Sequence, residues 1–228
     1  MKKNITIAID GFSSTGKSTI AKQLAKELGY VYVDSGAMYR AMTLFAMNQK
    51  YIDTNQFDVD SFVENLNNAS LKFTYNPKLG FAEMFLNGIN VEKEIRTLEV
   101  SNLVSKVSAT PQVRKKLVAI QKDMGKNKGV VMDGRDIGTV VFTDAELKLF
   151  MTSSAKTRAQ RRFDELIEKE EKVTFNEVLE NVVERDRVDT TRKDSPLIKA
   201  DDAIEIDNSN LTREEQFDMI LKLVQEKL

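Results

Sequence analysis

Gly11-Phe12-Ser13-Ser14-Thr15-Gly16-Lys17-Ser18 is a complete G-x-x-x-x-G-K-S, and the chemistry available to such a run is phosphate binding. Glycines let the backbone curl so that successive N–H groups converge on phosphate oxygens. A helix starting near the lysine adds free N–H groups and a partial positive charge. Lys17 can reach the β- and γ-phosphates of a nucleotide, and the Ser18 hydroxyl is placed for Mg²⁺. The flanking residues supply the required context. Ile5, Ile7 and Ile9 alternate with Thr6, Ala8 and Asp10 as in a buried strand. Ile20, Ala21, Leu24, Ala25 and Leu28 then recur at helical spacing, closed by Gly29. The bland alternative is a Gly/Ser loop that binds nothing, and strand, loop and helix in this order weigh against it.

Arginine placement is the second chemical signal. The 11 arginines stand at 40, 96, 114, 135, 158, 161, 162, 185, 187, 192 and 213. Arg158 and Arg162 are helical neighbours with Arg161 alongside, and Arg185, Asp189 and Arg192 share a helix face if the helix continues that far. Arg40 and Arg135-Asp136 follow strand ends, where ligands sit in open α/β sheets. Any one of these could be an ordinary solvated or ion-paired arginine. Together they suit a substrate carrying a second phosphate, because the planar guanidinium fork grips phosphate at two points. Asp133 ends an apolar strand, as an acid near Mg²⁺ would, or as a simple strand-end cap.

The elements that must position these groups read as an α/β chain. Short apolar runs at 30–33, 129–133, 147–151 and 203–207 join the first strand, separated mainly by helices at 37–49, 94–109, 111–124, 153–167 and 174–189 and followed by one from 211. That order implies a five-stranded parallel sheet between two helix layers, a three-layer P-loop NTPase fold. Residues 71–75, 81–86 and 89–91, joined by Asn76-Pro77-Lys78-Leu79-Gly80 and Asn87-Gly88, read as a small antiparallel sheet inserted in it. Thr174-Phe175-Asn176-Glu177 is a capping box.

Composition narrows the class. The chain has 228 residues, 41% hydrophobic and 30% charged, enough for one large domain with small inserts. Lys+Arg at 34 against Asp+Glu at 35 gives no global field toward nucleic acid or anionic lipid, so neither is an expected partner. The absence of cysteine excludes disulfides and thiolate chemistry, and the absence of histidine removes the commonest general base. Met1-Lys2-Lys3 leads into the first strand without a signal-peptide core, and no apolar run approaches the length of a spanning helix. A cytoplasmic protein is expected, acting as a monomer.

Three further motifs carry a resemblance. Asp34–Arg40 reads D-S-G-A-M-Y-R, Asp133–Val141 reads D-G-R-D-I-G-T-V-V and Arg185–Arg192 reads R-D-x-x-D-x-x-R, with A-D-D-A at Ala200–Ala203. Over nearly the whole chain the sequence resembles the bacterial cytidylate kinases, a family of P-loop nucleoside monophosphate kinases. The resemblance implies transfer of the γ-phosphoryl group of ATP to CMP or dCMP, with Mg²⁺ as cofactor. It places ATP on Gly11, Phe12, Ser13, Ser14, Thr15, Gly16, Lys17, Ser18 and Thr19, and the metal on Ser18 and Asp133, directly or through water. It places CMP on Ser35, Arg40, Ser105, Arg114, Arg135, Asp136, Arg185, Asp189 and Arg192. Among these, Arg40, Arg135 and Arg192 hold the phosphate, Arg185 and Asp189 touch the sugar, and Ser105, Arg114 and Asp136 read the base. Lys17, Arg135, Arg158, Arg162 and Arg192 are the expected catalytic set, with Arg161 among the lid arginines. The implied organisation is a core of 1–34, 103–157 and 200–228, an NMP-binding region of 35–102 containing the small sheet, a lid of 158–173, and a helix and loop of 174–199 completing the substrate site. Phe12 and Thr143 depart from prolines usual in the family, which bears on loop rigidity and not on chemistry. The rival readings are a kinase for UMP or AMP and a nucleotide switch without phosphoryl transfer. The chain lacks an N-K-x-D guanine-reading motif, which disfavours a GTP switch.

Overall fold

The computed structural model describes residues 4–228, so the Met1-Lys2-Lys3 lead-in lies outside the described residues. The run of alternating isoleucines forms β1 (Thr6–Gly11), buried along its whole length. Such burial requires a strand on either edge and helices over both faces. The chain continues through α1 (Lys17–Leu28), β2 (Val31–Asp34), α2 (Ser35–Asn48), α3 (Val59–Glu64), β3 (Leu71–Asn76), β4 (Phe81–Leu86) and β5 (Ile89–Asn90). There follow α4 (Leu98–Ser108), α5 (Pro111–Met124), β6 (Val130–Asp133), β7 (Leu147–Thr152), α6 (Ala155–Glu168), α7 (Phe175–Thr191), β8 (Ile204–Asp207) and α8 (Arg213–Gln225).

Five strands form the parallel sheet in the order β2-β6-β1-β7-β8. β1 pairs with β6 through Ile9↔Asp133 and with β7 through Gly11↔Met151. The strand order reverses about β1, so its carboxyl end opens on the switch point where ligands bind in α/β sheets. Gly11 allows the close pairing there: a Cβ at this position would stand 2.1 Å from the Met151 carbonyl oxygen. β3, β4 and β5 form the separate antiparallel sheet, with Thr74↔Glu83 and Leu86↔Ile89 in register.

The chain divides into two compact units, one running to Val31 and resuming at Gly125–Leu228, the other Tyr32–Met124. The second has its own core, in which Met38, Met42 and Phe45 of α2 meet Phe62, Met84, Ile95, Val107 and Leu117. In the first unit Ala159 and Leu166 of α6 pack on Val178 and Val182 of α7. Among the described residues, no helix is long and apolar enough to cross a membrane.

Two elements differ from the sequence reading. The helix expected over 94–109 is a 3₁₀ turn at Glu94–Arg96 and then α4, because Thr97 adopts an extended backbone and its hydroxyl accepts the Val100 N–H at 3.4 Å. α7 ends at Thr191, and Arg192 is its C-cap with ψ of 142°. Arg192 therefore leaves the helix face that Arg185 and Asp189 share.

Candidate active site

At the carboxyl end of β1 the phosphate loop closes on itself. Gly16, at φ 86°, is the N-cap of α1, so the first helical residue is Lys17. The lysine is buried, and its Nζ donates to the Phe12 carbonyl and, at 3.2 Å, to the Thr15 hydroxyl. Burial, reinforced by Arg135, pushes its pKa well below the ordinary value against the pull of Asp133 and Asp10. The Ser18 hydroxyl donates to Asp133 Oδ2 at 2.9 Å, bringing together the two residues expected at the metal.

Past β6, Asp136 opens a π-type turn over Ile137–Val141. Asp10 fixes that turn: its Oδ1 accepts the Ile137 N–H at 2.8 Å and its Oδ2 the Gly138 N–H at 2.7 Å. Burial pushes the Asp10 carboxyl up to about 7, opposed by these two donors and by Lys17. Arg135 Nε donates to Asp189 Oδ2 at 2.8 Å, and Arg192 Nη1 lies 3.5 Å from Asp189 Oδ1. Arg192 also reaches within 3.9 Å of Asp136. Burial raises the Asp189 pKa, yet Arg135, Arg185 and Arg192 together hold it below the usual range. Arg135, Asp136, Asp189 and Arg192 thus form one network, with Arg185 one turn before Asp189 on α7.

The three arginines of α6 separate. Arg158 is buried, forked on Asp186 at 2.9 and 2.5 Å, bonded to the Ser13 carbonyl at 3.2 Å and stacked 5.1 Å from the centre of the Phe12 ring. Phe12, in the place of a proline, therefore supports an arginine. Arg161 donates to the side chain and backbone oxygens of Asn208 at 3.0 and 2.9 Å, while Arg162 pairs with Glu165 at 2.9 Å. Asn208 Nδ2 in turn donates to the Thr15 carbonyl at 2.6 Å, tying the end of β8 to the phosphate loop. Beside the loop lies a cleft of about 490 Å³ whose walls include Gly16, Thr19, Gln23, Arg161, Arg162 and Arg213.

In the second unit, Asp34 caps α2 by accepting the Ala37 N–H at 2.8 Å, and Ser35 is the first helical residue. Arg40 Nη2 and Arg96 Nη2 both donate to Asp34 Oδ2, at 3.0 and 2.8 Å. Burial alone would raise the Asp34 pKa, but the two guanidiniums hold it far below the carboxylate range. Arg114 is buried on α5, donates to the Ser108 carbonyl at 3.1 Å and lies 5.4 Å from the centre of the Tyr39 ring. Ser105 is half-buried on α4, one turn before Ser108.

The family model for cytidylate kinase matches residues 7–226. The chain belongs to the cytidylate kinase family. A cytidylate kinase of Flavobacterium psychrophilum is 66% identical over 222 residues, covering 97% of this chain and 98% of that one. One from Bacteroides fragilis is 55% identical over 219 residues, covering 96% of each. A solved structure of an uncharacterized protein from Eubacterium ventriosum superposes with a TM-score of 0.50 at 11% identity, covering 98% of this chain and 99% of that one, a likeness of fold alone.

Within this family member, several residues that build the site were not singled out from the sequence. Asp10 was visible as an acid at the end of an apolar strand, and Arg96 as an arginine without an assigned role. Asp186 and Asn208 carry no comparable signal, because each acts on a residue far along the chain, while Glu92 pairs with Arg96 only four residues on.

Proposed function

We infer that the chain transfers the γ-phosphoryl group of ATP to CMP and dCMP, giving ADP and CDP or dCDP. Membership of the cytidylate kinase family carries this reading. The attacking group is a phosphate oxygen of CMP, already anionic near neutral pH, so no strong general base is needed and the lack of histidine is no obstacle. Catalysis rests on aligning two polyanions and stabilising charge on the moving phosphoryl group.

Gly11 to Thr19 are proposed to wrap the ATP phosphates, with the nucleoside directed into the cleft walled by Arg161 and Arg213. Lys17, Arg135, Arg158, Arg162 and Arg192 are proposed to act on the transferring group, 158–173 serving as the lid that excludes water. Ser18 and Asp133 offer two hard oxygens 2.9 Å apart, a donor set that suits Mg²⁺, which would neutralise phosphate charge there. For CMP, the proposed phosphate ligands are Arg40, Arg135 and Arg192, the sugar ligands Arg185 and Asp189, and the base readers Ser105, Arg114 and Asp136.

A carboxylate only accepts, so Asp136 can pair with the cytosine amino group but opposes the uracil oxygen. Arg114 only donates, which suits the ring nitrogen of cytosine and not the N–H of uracil. Sites of this kind reject a mismatched partner by up to about 10⁴-fold. Asp136→Asn is therefore expected to lower kcat/KM for CMP and narrow the gap between CMP and UMP. An equal loss for both substrates would mark Asp136 as scaffolding beside Arg192.

A further inference from the structure

A chain of polar groups runs through the second unit from the inserted sheet to Arg40, every link at bonding distance. It begins where β5 stops. The Val91 N–H still bonds the Met84 carbonyl at 2.9 Å, but the Met84 N–H goes to Glu92 Oε2 at 3.0 Å. Glu92 Oε1 accepts from Arg96 Nε at 3.1 Å and from Nη2 at 2.6 Å. Arg96 Nη2 continues to Asp34 Oδ2 at 2.8 Å, and that oxygen accepts Arg40 Nη2 at 3.0 Å. Charges alternate along the line, acid, base, acid, base, and Asp34 at its centre is only 5% exposed.

Two guanidiniums on one carboxylate oxygen repel each other, and Glu92 offsets that repulsion by holding Arg96 from the far side. Arg96 in turn draws on the Asp34 charge, which weakens the competition between that carboxylate and a phosphate for Arg40. Gly36 makes room for the fold-back: a Cβ there would lie 3.0 Å from Arg40 Nη1 and 3.1 Å from Asp34 Oδ1. A free arginine side chain loses about 2 kcal/mol of rotamer entropy on ordering, so one ordered beforehand binds phosphate more tightly.

We propose that Glu92 and Arg96 are positioning residues for Arg40, and that the inserted antiparallel sheet acts through them to hold the Arg40 guanidinium in its phosphate-binding pose. The proposal rests on the assignment of Arg40 to the CMP phosphate. It gives the insert a role in substrate affinity beyond its packing.

The test is a set of double-mutant cycles on the full chain, with KM for CMP, KM for ATP, kcat and Tm measured for each variant. Arg96→Gln and Glu92→Gln are each expected to raise KM for CMP by about threefold to thirtyfold, inside the range of coupling for one polar network, with KM for ATP unchanged. Arg96→Lys should restore part of the loss. In an Arg40→Ala background the same substitutions should change KM for CMP by less than about twofold, because coupled effects do not add. A loss that persists in full in that background overturns the proposal, as do silent Arg96→Gln and Glu92→Gln variants beside an impaired Arg40→Ala. A purely structural role would lower Tm and move both KM values together, which also counts against it. If Arg40→Ala itself leaves KM for CMP unchanged, the phosphate assignment falls and the proposal with it. Glu92→Gln, which keeps shape and volume, carries the test should Arg96→Gln fail to fold.

Discussion

Lys17 and the arginines of this protein meet their surroundings in opposite ways. Lys17 is buried and bonded to uncharged oxygens of its own loop, with acids bearing on it only through space. Arg40, Arg96, Arg135 and Arg158 each hold a carboxylate at 3.0 Å or less. The lysine sits among uncharged oxygens of its own loop, whose shape is local, and in the proposed function its charge is left for a phosphate. The arginines are aimed by acids that lie from four to 62 residues away, which gives direction but divides their charge between the acid and any ligand. Under the proposed function, the phosphate loop would act as a preformed anion site, while the affinity of the arginine clusters would depend on their carboxylates.

Lys17→Ala tests the first half of that contrast and has the largest expected effect. Loss of one preorganised donor costs about 10²–10³-fold in kcat. The thermal midpoint should move little, since the buried ammonium is costly to the fold, and near-normal turnover in a folded variant would break the loop assignment.

Asp189→Ala tests the second half. It leaves Arg135 and Arg192 without their shared acid, and breaking a buried pair costs about 3–5 kcal/mol of stability. KM for CMP should rise about tenfold to a hundredfold, as expected for a lost charge-assisted hydrogen bond, and KM for ATP much less. A rise confined to ATP would mean that the network serves the other nucleotide.

The carboxylate of Asp10 sharpens the comparison, because it lacks an arginine and is raised where Asp189 is lowered. With a folded value of about 7 against 3.8 in the unfolded chain, the folded state holds the extra proton between those limits. Stability from this group is then fully present below pH 3.8 and is lost as pH rises toward 7, by at most about 1.4 kcal/mol per pH unit. Unfolding of the protein and of Asp10→Asn at several pH values should show this slope in the first and not in the second.

The smallest effect belongs to Phe12→Leu, which removes the ring beneath Arg158. The stability loss should be about 0.5–2 kcal/mol, with the chemistry kept. A large fall in kcat would instead place Arg158 under direct control of that ring.

The same contrast explains what could be read from the residues alone. The phosphate loop, β1 and α1 are contiguous, and their periodicity and glycines are local properties, so they were legible down to the lysine at the helix start. The capping box at Thr174 and Glu177 was legible for the same reason. Arginine positions could be read, but their distant partners could not: Asp34 meets Arg96 across 62 residues and Arg135 meets Asp189 across 54. No local pattern encodes such a meeting. The break at Thr97 lay between, since a threonine inside a helical run is a cap signal that the surrounding apolar spacing hid.

The most direct measurement is ADP production from ATP with a panel of monophosphates, CMP, dCMP, UMP, AMP and GMP, each tested alone. For a cytidylate kinase, kcat/KM for CMP and dCMP should exceed that of every other member of the panel, and the advantage of CMP over UMP should contract in Asp136→Asn. Equal or faster turnover of UMP or AMP, or tight ATP binding with no transfer to any monophosphate, would contradict the proposed function.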